Sequence, residues 1–170
     1  NHALAQPMTE ATLEHGQAAK KLPEDLRHWV DECRLIMLAL EAAQRVFSRT
    51  AAVGMPANVA LNPQMMLTLL TYSYAAGMHA SEDIEWASLR DLAMRYICAG
   101  SFPDCQAIRR FRRANRQMIE HGLVHVFTEA RKLRFAGTGQ WEVEDPGFAA
   151  QTYASILEVV RRKLQLAVMM

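Results

Sequence analysis

Apolar residues recur at three- and four-residue steps along most of this 170-residue chain. That is the spacing of one face of a helix, not the strict alternation of a half-buried strand. Residues 8–20 form a short candidate helix. From Leu22 to Arg49, Leu26, Trp29, Val30, Cys33, Ile36, Met37, Leu40 and Phe47 make one apolar stripe. Pro23 suits the first turn of this helix, and Glu24 and Asp25 complement the positive end of its dipole. "TAAVGMPANVAL" breaks the pattern with Gly54 and Pro56 and predicts a loop.

The next segment, "NPQMMLTLLTYSYAAG", has Asn62 as a cap and Pro63 at the first helical position. Its apolar residues surround the axis, which predicts a helix buried at the centre of the domain and ended by Gly77. Ser81 is expected to cap "EDIEWAS", and Ser88 to begin "LRDLAMRYICAG", closed by Gly100 in the left-handed conformation. "SFPD" then places Asp104 to cap a third short helix. Short helices joined by tight turns and leading into a basic one predict a helix-turn-helix-like core. "FAGTGQWEVEDPG" reads as a connector to which Trp141 belongs. In the final helix Tyr153, Ile156, Leu157, Val160, Leu164 and Val168 share one side. The expected fold is all-α and compact, divided into N-terminal helices and loop (1–61), a helical core (62–134), and a connector with a C-terminal helix (135–170).

Composition fits that picture: 51 % hydrophobic and 22 % charged residues supply ample core material. No stretch reaches the roughly 18 uninterrupted apolar residues of a membrane span. The first residues lack the basic-then-apolar order of a secretory signal. Cys33, Cys98 and Cys105 are odd in number and dispersed, which suits free thiols in a reducing cytoplasm.

Charge changes the picture more. Cys105 to Arg134 holds seven arginines and Lys132 against Glu120 and Glu129, a local +6 in a chain of net +1, so the rest carries −5. Within "CQAIRRFRRANRQ", a wheel of about 100° per residue puts Ala107, Ile108, Phe111, Ala114, Met118 and Ile119 on one arc. Arg109, Arg113 and Arg116 fall opposite, with Gln106 beside them and Arg110 and Arg112 at the flanks. Acidic partners within the helix are scarce, Glu120 after Arg116 being the nearest. Fifteen arginines against four lysines favour bidentate recognition of phosphate or guanine over generic solubility. Clustered charge of this kind is a nucleic-acid footprint.

Residues 62–131 resemble the N-terminal domain of InsH-type bacterial insertion-sequence transposases. The resemblance rests on Pro63, Met66, Leu67, Tyr74, Gly77, Ser81, Ile84, Tyr96, Cys98, Gly100, Pro103, Asp104, Ile108, Phe111, Arg112 and Arg113, in that order. Where the family usually has a small hydroxyl residue before the isoleucine, this chain has Ala107. The resemblance implies binding of double-stranded DNA by a helical domain that, in the family, precedes a ribonuclease-H-like domain with an Asp-Asp-Glu metal site. Asp145 stands at about the distance of the first of those carboxylates, but Pro146 and a helix follow it. No catalytic residue, metal or cofactor is therefore expected in this chain, which alone should not cut DNA.

Cys98, Cys105, His121 and His125 are spaced C-x6-C-x15-H-x3-H, too wide between the cysteines for a zinc finger. Glu82, Asp83 and Glu85 are explained as first-turn charges of their helix. The resulting expectation has Gln106, Arg109, Arg113 and Arg116 nearest the base edges of double-stranded DNA, and Arg110, Arg112 and Arg131 on phosphates. A second copy could pair through the C-terminal helix. The location expected is cytoplasmic, on the nucleoid. The alternative is a transposase-derived interaction module whose basic face meets an acidic protein or an RNA.

Overall fold

The computed structural model describes residues 22–50, 61–136 and 146–170. These residues form seven α-helices and no strand: α1 (Glu32–Thr50), α2 (Pro63–Ala75), α3 (Ser81–Arg90), α4 (Leu92–Cys98), α5 (Cys105–Ala114), α6 (Arg116–Phe135) and α7 (Pro146–Met169). The candidate helix at 8–20, the loop around Gly54 and Pro56, Trp141 and Asp145 lie outside the described residues.

The predicted start near Pro23 is corrected. Leu26–His28 is one 3-10 turn, capped by Asp25, whose Oδ1 accepts from the Arg27 amide at 2.8 Å. The helix proper begins after Asp31, whose Oδ1 accepts from the Arg34 amide at 2.8 Å. Its buried face is Leu35, Ile36, Leu38, Ala39, Ala42, Ala43 and Val46, whereas Cys33 and Met37 are exposed. Three alanines give little periodic signal, but they let the neighbouring backbones approach closely. α1 packs most extensively against α6 and α2. One hydrophobic cluster runs from Leu22 to Ala167, and it crosses the boundary expected at 61/62.

α2 is the centre, as its all-round apolar pattern predicted: Met66 to Ala75 are all buried. Asn62 Oδ1 accepts from the amides of Gln64 and Met65, and Pro63 opens the helix. Two of the polar side chains among these residues turn back on the helix, Thr68 Oγ1 donating to the Gln64 carbonyl at 2.8 Å and Ser73 Oγ to the Leu69 carbonyl at 2.7 Å. Gly77 holds φ +80° and passes close to the Glu24 carbonyl, 3.3 Å from where a Cβ would stand.

The two predicted serine caps are corrected as well. Ala80 precedes α3 without a side-chain bond, and Ser81, the first helical residue, is buried. Ser88 stays inside α3 and bonds back to the Glu85 carbonyl; Asp91 caps α4 through the Met94 amide. The left-handed turn after α4 starts at Ala99 (φ +49°) and continues through Gly100. α7 packs on α6, and its buried apolar residues are Ile156, Val160, Leu164 and Ala167. Tyr153 and Val168, predicted for that face, are exposed. The stripe thus closes the core of its own chain, and a second copy would have to meet Tyr153, Leu166 and Val168. Among the described residues no helix is long and apolar enough to cross a membrane.

Candidate nucleic-acid interface

α5 is built as a separate short helix. Asp104 Oδ1 accepts from the Ala107 amide at 2.6 Å, and Glu85 of α3 reaches across to the Cys105 amide at 3.0 Å. Two carboxylates thus close the electropositive end of α5. At the other end the chain breaks at Asn115 (φ −124°, ψ 27°), whose side chain donates to the Phe111 carbonyl at 3.0 Å. The single wheel drawn from Gln106 through Ile119 therefore does not hold past Ala114.

Within α5, Ile108 is fully buried and Phe111 packs partly against the core. Arg112, expected on a flank, is instead 5 % exposed. Its guanidinium donates to Ser81 Oγ at 3.1 Å and stands beside the Tyr74 hydroxyl. Burial pushes the Tyr74 phenol up, and the neighbouring Arg112 pulls the other way. Arg131 is also buried, with its guanidinium 5.5 Å from the centre of the Phe135 ring, and burial lowers its pKa. Arg112 and Arg131 are therefore both buried, unlike the solvent-facing positions expected of them. The reason is tertiary: α2 and α3 cover Arg112, and the inner face of α6 carries Arg131.

Arg109 is ion-paired with Glu82 of α3, its side chain only 26 % exposed. It fastens α5 to α3 and does not stand free on the outer face. Gln106, Arg110 and Arg113, spaced four and three residues apart, form the exposed row of α5. Arg116 is exposed on the first turn of α6, beyond the break at Asn115. Glu120, the acid nearest Arg116 in sequence, is paired with Arg161 of α7 at 3.4 Å. Arg110, Arg113 and Arg116 have no ion-pair partner among the described residues. Sequence reading explained Glu82 and Glu85 by their own helix alone. The signal it passed over is their three-residue spacing, which aims both at α5.

The histidines and cysteines do not converge. His121 is exposed, and His125 is half-buried with Nε2 3.6 Å from Glu41. Cys98 is buried, its thiol pushed up to about 11 by desolvation, and Cys105 starts α5. Among the described residues no group of three or more His, Cys, Asp or Glu is arranged to hold a metal ion.

The domain is all-helical among the described residues, and its short arginine helix α5 is fixed on one side and cationic on the other. The particular family is shown by sequence: residues 17–114 match the family described as "Transposase domain (DUF772)", and the chain belongs to it. No curated protein and no solved structure is significantly similar to the chain.

Proposed function

We propose that the chain binds double-stranded DNA through α5 and the first turn of α6, as the DNA-recognising part of a protein derived from, or acting in, transposition. One observation carries this reading: Arg110, Arg113 and Arg116 are exposed and have no ion pair among the described residues, while Ile108 and Arg112 lock the opposite side of α5. Like charges set side by side repel, so the row costs stability unless an anion meets it. Guanidinium forks suit phosphate oxygens and the guanine edge, and Gln106 suits adenine. Because Asp104 and Glu85 close the start of α5, the attractive surface is its second half. Arg110, Arg113 and Arg116 approach the duplex, Gln106 lies at the edge of the contact, and Arg109 holds the helix in place. Membership of a transposase family supports the same reading.

Fluorescence anisotropy on a mixed-sequence duplex across a salt series tests it. Arg113→Ala with Arg116→Ala should weaken binding about tenfold or more and lower the salt slope by about two released ions. Unchanged affinity and slope would overturn the assignment, leaving the row to an anionic protein or an RNA. Comparison with terminal-repeat duplexes then separates a site reader from a backbone binder.

A further inference from the structure

The second half of α1 and the first half of α6 leave between them a groove of about 320 Å³. Its floor is apolar, made by Ala42, Val46 and Met118, and its walls carry Arg45, Arg49, Gln117, His121 and His125. Arg49 is exposed and has no ion pair among the described residues. Arg45 is held by Glu41 at 3.1 Å, but both side chains are about half exposed, a pair that contributes little and exchanges readily. His125 Nε2 is buried, 3.6 Å from Glu41 Oε1, and has no hydrogen-bond partner among the described residues. Gln117, on the first turn of α6, directly follows the exposed Arg116 in sequence. Its volume is at the small end of ligand-sized pockets, enough for a single small unit and not a helix or strand.

We propose that this groove is a phosphate site, in which Arg49 and Arg45 hold a backbone phosphate of the DNA that α5 engages. The source of the phosphate rests on the DNA-binding reading above. The Gln117 amide donates to the same oxygens, and the deoxyribose lies on Ala42, Val46 and Met118. Two guanidinium groups on consecutive turns of α1 make the charge-assisted bonds that such an oxyanion needs. The charged and titratable groups around His125 are Arg45, Arg49 and Glu41 from α1, and His121, Glu129 and Lys132 from α6. Burial, and after it Arg45, hold the His125 imidazole below its ordinary value, so a phosphate entering the groove would draw it upward.

The ring signals of His121 and His125, followed by NMR while the chain is titrated with inorganic phosphate or with a mixed-sequence duplex, report on the groove directly. Anisotropy on the same duplex gives affinity. Both probes should shift the two rings and raise the titration midpoint of His125 in the wild type, and do neither in Arg49→Gln. Arg49→Gln should also bind duplex several-fold more weakly, with the salt slope lower by about one ion. Ring shifts with phosphate but no duplex binding would support the phosphate site and overturn DNA as its source, and with it the proposed function. Duplex binding that falls with Arg113→Ala and Arg116→Ala but not with Arg49→Gln, with both rings unmoved, would overturn the groove and leave the proposed function standing.

Discussion

Arg112 and Arg113 are neighbours in sequence with opposite fates. A 100° step around α5 carries one guanidinium under Tyr74 and Ser81 and the other into solvent. Arg112→Ala should therefore lower unfolding free energy by about 1–3 kcal/mol, by losing a charge-assisted bond and its packing. Arg113→Ala should change it by no more than about 0.5 kcal/mol. Denaturant unfolding of the two variants checks this; equal losses would mean that Arg112 is not internal. DNA affinity should rank the exposed position the other way, Arg113→Ala weakening binding while remaining fully folded. Composition marked the arginines as a set, and periodicity assigned a side to each. What periodicity could not supply is that α3 lies over one edge of the helix, turning a flank position into an interior one.

At the scale of elements, small residues decide how closely helices approach. Gly122 of α6 faces Thr71 of α2, and a Cβ added there would stand 2.9 Å from Thr71 Oγ1. Thr71 is fully buried and β-branched, so it has little freedom to move aside. Alanine would raise the helical propensity of α6 by about 1 kcal/mol. Crowding between two core helices costs about 1–3 kcal/mol, and here it should win. Gly122→Ala is thus expected to lower the melting temperature, and Thr71→Ser in the same chain to restore part of the loss. A Gly122→Ala protein more stable than wild type would show that α2 and α6 do not touch at this point. Caps were legible where the chemistry is local: Asn62 with Pro63, Asp104 and Gly77 all act as their neighbours in sequence suggest. They were misread where the side chain had a distant use, as with Ser81, which receives Arg112 instead of capping its own helix.

For the whole molecule, ion pairs and buried bases tie the C-terminal helix to the beginning of the fold. Lys163 of α7 is fully buried, donating to the Glu24 carbonyl at 2.6 Å, with Arg161 on Glu120 and Arg162 on Glu24. His79 stacks on Tyr74 at 5.8 Å, and its pKa is lowered by burial first and then by Lys163. His125 is lowered by burial and Arg45. Both imidazoles ionise more easily in the unfolded chain, near an ordinary value of about 6.5, than in the folded one. Protons therefore favour the unfolded state once pH drops through that value, and the loss grows until the folded midpoints are passed. Thermal stability should fall between pH 7 and pH 5, and His79→Gln with His125→Gln should flatten the slope. An equal slope in the double variant would place the titrating groups elsewhere.

By itself the sequence determined the class of the fold, the buried central helix, the break and cap before the arginine segment, and the presence of clustered positive charge. All of these follow from spacing and from side-chain chemistry acting over three or four residues. Tertiary structure alone decided which arginines are free. Arg109 is paired by α3, Arg112 is roofed by α2 and α3, Arg131 faces inward, and Glu120 is drawn away by α7. Arg45 and Arg49, far from the basic segment in sequence, meet its continuation only because α1 packs along α6. A charge is local to its residue, but its partner is set by whichever helix the hydrophobic core brings alongside.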